Sequence, residues 1–242
     1  MLELGPAPGN ILDRALIHKL GANLRALAKD GRLKAIVLRG SGAHFSYGAS
    51  VEEHMPSQVG RMLPDFHALL RLIDELPLPP VIAAVRGRCL GGGFELALAC
   101  DRILVEEDAQ LGCPEIRLGV FPPAAAALLP LRVNAGRAAE LLVSGRLLDG
   151  REAGELGIAD HVAESGGLDF AVETLVDQTL VPLSAAAVRQ ARHACRHPWH
   201  AALHRRLPEL ERQYLEDLMA TVDALEGLEA FLAKRKPAWS DR

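Results

Sequence analysis

The chain has 242 residues, is 49% hydrophobic and carries a formal net charge of −4. That length and apolar content can bury a large core as one domain, or one domain with an appendage. Charges of both signs are interspersed, which gives no nucleic-acid footprint, and apolar runs such as 124–131 are too short to span a bilayer and contain proline.

In chain order, residues 2–4 read as the end of a strand whose start is absent. An amphipathic helix follows, carrying Leu16, Leu20, Leu24 and Leu27 on one face with Asp13 as its cap. Residues 35–38 form a short buried strand ending at Gly40. The helical pattern returns over 61–76, and Pro77, Pro79 and Pro80 stop it before a second buried strand at 81–85. A glycine turn, a helix over 94–99, a strand over 103–105 and a helix over 135–142 come next. This alternation predicts an α/β architecture. Beyond Gly167 the pattern is wholly helical, over 170–180, 184–196, 203–220 and 225–234, with no low-complexity linker before it.

Cys89, Cys100, Cys113 and Cys195 show no CxxC spacing and read as buried reduced thiols. With no leader visible, the expected setting is cytoplasmic. His193, His197, His200 and His204 fall partly at helical spacing in an arginine-rich stretch, which reads as a solvated face rather than a metal site.

Chemistry concentrates at residues 86–95, Arg-Gly-Arg-Cys-Leu-Gly-Gly-Gly-Phe-Glu, directly after the strand at 81–85. Glycines admit a ligand close to the backbone, and a helix start leaves N–H groups free for developing negative charge. Glu95 beside such donors suits an acid or base that serves an oxyanion. A glycine run can equally be a tight turn, and Glu95 a charge that complements the helix dipole. A second carboxylate, Glu115, and a second glycine turn, Phe45-Ser46-Tyr47-Gly48-Ala49-Ser50, raise the value of the first. Two carboxyls in unlike environments can divide acid and base duties, although Glu115 alone reads as a solvated loop residue.

The motifs at 45–49, 89–97 and 114–119, with the C-terminal stretch 226–239, resemble in order the crotonase (enoyl-CoA hydratase/isomerase) superfamily. The resemblance covers nearly the whole chain and leaves out the family's first strand. It implies a spiral of ββα turns over 1–180 and a C-terminal helical region over 181–242 for oligomerisation and CoA contacts, in a homotrimer or dimer of trimers. On that basis Ala49 and Gly92 supply the oxyanion-hole N–H groups, Glu95 activates water, and Glu115 protonates the α-carbon. Tyr47, Gly48, Ser50, Gly91, Phe121 and Lys234 are the substrate-binding candidates, with Lys234 and Lys236 for the CoA phosphates. Those lysines also read as ordinary solvated charges, and His54 either lines the site or sits on a loop surface. No metal or other cofactor is expected, since coenzyme A belongs to the substrate.

Two departures narrow the resemblance. The glycine-rich turn of hydratases for linear chains is replaced here by Phe121-Pro122-Pro123 and four alanines, whose methyl groups would reshape the acyl pocket. Ser50 stands where an aspartate is common. This pattern looks most like the cyclohexa-1,5-diene-1-carbonyl-CoA hydratases of aromatic-acid degradation. The rivals are a hydratase or Δ-isomerase of linear enoyl-CoA, a silent acyl-CoA-binding subunit, and an RNA-binding member, which the charge balance disfavours.

Overall fold

A computed structural model describes all 242 residues. The chain opens with strand β1 (Leu2–Leu4) and helix α1 (Arg14–Leu27). Asp13 starts α1 by accepting the Leu16 N–H at 2.8 Å, and the helix buries Leu16, Ile17, Leu20 and Leu24. Strand β2 (Ile36–Gly40) leads to helix α2 (Val59–Glu75), which packs on α1 and buries Met62, Leu63, Phe66 and Leu70. Strand β3 (Val81–Val85) is buried along its whole length, as a central parallel strand must be when both faces are covered.

The path then repeats. Strand β4 (Arg88–Leu90) and helix α3 (Gly92–Ala99) follow β3. Strand β5 (Arg102–Glu106), strand β6 (Gln110–Gly112) and helix α4 (Pro123–Leu128) trace the same ββα turn again. Helix α5 (Ala135–Ser144), strand β7 (Leu148–Asp149), helix α6 (Gly150–Glu155) and strand β8 (His161–Ala163) close the series. The larger sheet is parallel throughout, in the order β1-β2-β3-β5-β8. The smaller has the order β4-β6-β7, with only the last pair antiparallel. This is the α/β spiral that the motif order implies. Residues 2–4, read from sequence as the end of a strand, do form one, with Leu2 paired to Leu38 and Leu4 to Gly40.

Helix α7 (Leu168–Leu175) covers the outer face of the larger sheet, placing Leu168 and Val172 on Val37, Ile82, Ala84 and Leu104. Helix α8 (Ala185–Cys195) runs to α9 (His197–Ala201), α10 (Leu207–Arg212) and α11 (Val222–Leu232), with wider π turns at 202–206 and 213–217. Leu203, Leu207, Leu210 and Tyr214 face inward and join the same core cluster as α2, α3 and α4. The C-terminal helices therefore form one wall of the site rather than a detached appendage.

Candidate active site

Two glycine turns meet at the C-terminal ends of the strands. Gly91, at φ 49°, lets β4 turn sharply into α3, and a Cβ there would lie 2.5 Å from Glu115 Oε1. On the other turn, Ser46 Oγ donates to Asn10 O at 2.8 Å and accepts the Gly48 N–H at 3.0 Å. Gly48 adopts φ 103°, and a Cβ on it would lie 2.8 Å from Leu90 O. The turns are thus pressed together, with Ala49 N 3.1 Å from the place a Gly92 Cβ would take. Neither the Ala49 nor the Gly92 N–H has a protein acceptor, and Gly92 is the first residue of α3. Both residues line one cavity of about 490 Å³.

Glu95, one turn into α3, is only 4% exposed, and its Oε1 accepts the Ala125 N–H at 2.8 Å. Burial pushes its carboxyl well above the usual carboxylate range, while the N–H groups of Ala125 and Ala124, at the start of α4, pull the other way. Glu115 stands opposite, in a short helical turn (Pro114–Leu118) after β6, with Oε2 buried and unpartnered. Burial and then the charge of Glu95 raise its carboxyl. Glu95 has two backbone donors from the start of α4, while Glu115 has only its own N–H, which favours Glu95 as the ionised member and Glu115 as the protonated one.

The apolar wall comes from Met62, Leu63, Phe66, Phe121, Pro122 and Pro123. Exposed residues frame the mouth, with Arg88 over the Tyr47 ring at 5.7 Å and Arg117 and Arg235 beside them. Tyr47, Gly48, Gly91 and Phe121 line the cavity alongside Ala49, Gly92, Glu95 and Glu115. Ser50 and Lys234 do not. The Ser50 hydroxyl turns to Glu52 Oε2 at 3.0 Å and accepts the Glu53 N–H at 3.3 Å. Lys234 is exposed and ends α11 in a left-handed conformation, while its neighbour Arg235, held by Glu226, reaches the cavity instead.

The alanines after Phe121 also differ from expectation. Ala124 and Ala125 are fully buried and contribute backbone N–H groups to Glu95, so the pocket is shaped by Phe121, Pro122 and Pro123 rather than by alanine methyls. His54 is a lining residue; its Nδ1 donates to Ser50 O at 2.7 Å, and burial lowers its pKa, which keeps the ring neutral. Sequence reading missed Arg88, Arg117 and Tyr214, the last because Leu207, Leu210 and Tyr214 share the spacing of a plain core stripe. The one place where metal-ligating atoms converge, Asp74 with His200 and His204, lies outside the cavity, and Asp74 there is already paired with Arg196 at 2.9 Å.

A sequence model for enoyl-CoA hydratase/isomerase matches residues 4–242. A cyclohexa-1,5-dienecarbonyl-CoA hydratase from Thauera aromatica is 44% identical over 245 residues, covering 100% of this chain and 92% of the relative. A 2,3-dehydroadipyl-CoA hydratase from Escherichia coli (strain K12) is 34% identical, covering 98% and 92%. Among solved structures, an enoyl-CoA hydratase from Mycobacterium avium superposes with a TM-score of 0.82 at 31% identity, covering 96% of this chain and 89% of that one. Paired carboxyls over two free N–H donors, on a ββα spiral matched along its length, place this chain in the enoyl-CoA hydratase/isomerase family.

Proposed function

We propose that the chain adds water to an α,β-unsaturated acyl-CoA whose acyl group is a cyclic dienoyl ring of the cyclohexa-1,5-diene-1-carbonyl type. The observation that carries hydration is the pairing of Glu95 and Glu115 in one cavity with the unspent N–H groups of Ala49 and Gly92. Those donors would hold the thioester oxygen and polarise the double bond, making the β-carbon electrophilic. Glu95 takes a proton from water as the oxygen bonds to that carbon. Glu115 then delivers its proton to the enolate at the α-carbon, which completes the addition without a redox step. Arg88, Arg117 and Arg235 at the mouth suit the CoA phosphates.

The shape of the cavity favours a compact acyl group. Phe121, Pro122, Pro123 and Tyr214 line the cavity with rigid rings, which suits a cyclic acyl group, and the Thauera relative shares this chain's full length at 44% identity. Spectrophotometric assay of cyclohexa-1,5-diene-1-carbonyl-CoA against crotonyl-CoA tests this directly. A clear preference for the cyclic ester is expected; a preference for crotonyl-CoA overturns the substrate reading and leaves hydration of linear esters. That second reading, hydration or Δ-isomerisation of a linear enoyl-CoA, draws on the 34% identity to the dehydroadipyl-CoA hydratase.

No helix is long and apolar enough to cross a membrane, and all four cysteines are free thiols, which suits a reducing cytoplasm. Cys195, expected to be buried, is the one that is exposed. Helix α11 leaves Val222 and Phe231 more than half exposed, apolar surface suited to packing against a neighbouring copy in a trimer. No cofactor beyond the CoA of the substrate enters this chemistry.

A further inference from the structure

Tyr214 sits deep in the cavity wall at 1% exposure, its ring 5.5 Å from Phe121 and 6.5 Å from His54. Its hydroxyl has no hydrogen-bond partner. Seven buried side-chain polar atoms in the chain lack one, and only two belong to cavity-lining residues: Tyr214 Oη and Glu115 Oε2. A buried phenol without an acceptor is rarely left so, because the desolvation of its O–H goes uncompensated. Both atoms belong to residues that line one cavity, and each has a hydrogen-bonding position that a small polar guest would fill.

We propose that Tyr214 is a water-holding residue, whose O–H donates to the oxygen of the reacting water while that water donates to Glu115 Oε2 and to the Glu95 carboxylate. The proposal rests on the hydratase reading and adds to it a third partner from the C-terminal helices. Such a water has three fixed neighbours and one free lone pair, which is the geometry an attack on the β-carbon needs. In the step itself a water O–H bond breaks, its proton passes to Glu95, and the C–O bond forms. Tyr214 keeps its own proton throughout. Burial and the nearby charges of Glu115 and Glu95 raise the phenol far above neutrality, so it remains a donor. The titratable groups around it are those two glutamates and His54, and His54 is neutral with Nδ1 committed to Ser50.

The test compares the wild-type chain with Tyr214→Phe, which keeps the ring and its packing on Phe121. On whichever enoyl-CoA the wild type hydrates, kcat should fall about tenfold or more while KM stays within a factor of about three. The bell-shaped pH profile of kcat should also move to higher pH, since the water that donates to the glutamate pair loses the phenol that polarises it and so supports the pair's ionised form less. Unchanged kcat and pH profile overturn the proposal. So does a loss of kcat with the profile in place and a lowered melting temperature, which is what a packing role would give. A wild type that hydrates no enoyl-CoA removes the hydratase reading itself; an active wild type with an unaffected Y214F removes only the tyrosine.

Discussion

Two buried carboxyls that share one cavity shed their protons as a pair, and the pair is most useful when it holds one proton. Glu95 takes the N–H groups of Ala124 and Ala125, whereas Glu115 has only its own backbone N–H and the charge of Glu95 against it, so the single proton resides on Glu115. Glu95→Gln removes the base and Glu115→Gln the acid. Each is expected to lower kcat by about 10² to 10⁴, with thioester affinity by equilibrium titration nearly unchanged. Both pKa values are raised, so below the first loss of a proton the base is neutralised, and above the second the acid is gone. The activity profile should therefore be a bell with both limbs above 4.5, the ordinary glutamate value. An acid limb at or below 4.5 would remove the reading of Glu95 as a buried base. Glu95 and Glu115 were legible in sequence because glycine turns flanked them. Arg88 was not, because a strand-end arginine has no signature until the Tyr47 ring lies beneath it.

At the scale of the element, local chemistry decides which turns can change. Gly91 combines a positive φ with a side-chain neighbour, so Gly91→Ala places a methyl against Glu115 and strains the entry to α3. It is expected to destabilise by about 1–3 kcal/mol in urea unfolding and to cut kcat severely, since the same turn carries the Gly92 N–H. Asp13→Ala supplies the contrast. It removes the cap of α1 without removing a cavity-lining group, so stability should fall by about 1 kcal/mol while kcat is kept. Long periodic elements such as α1 and α2 were readable from pattern, as was β3 from its apolar run. Strands β4, β6 and β7, of two or three residues each, were not. Their pairing is set by the spiral around them, and so few residues show no period of their own.

For the molecule as a whole, a charged cluster joins the C-terminal helices to the ββα core. Arg192 Nε lies 2.6 Å from Asp101 Oδ2, and Arg196 bridges Asp74 at 2.9 Å and Asp101 at 2.7 Å. Arg196 also donates to Ala99 O at 3.1 Å, and Asp101 accepts the Val81 N–H at 2.7 Å. One arginine at the end of α8 thus ties the end of α2, the end of α3 and the start of β3. Burial alone would raise the Asp74 carboxyl, but the hydrogen bonds from Arg196 and His200 outweigh it and hold it below its ordinary 3.8. A depressed carboxylate stabilises the fold above its unfolded pKa and loses that contribution as pH falls through the folded value. Arg196→Ala leaves Asp74 buried without its cation and should destabilise by about 3–5 kcal/mol at pH 7. Arg196 does not line the cavity, so the molecules that remain folded should keep their turnover. Urea unfolding followed from pH 7 down to pH values below 3.8 separates the terms: the gap between wild type and variant should narrow once Asp74 is protonated. A gap that stays constant across that range would mean that Arg196 acts through its contact with Ala99 rather than through the carboxylate, and that the helices are held to the core by backbone capping instead of charge.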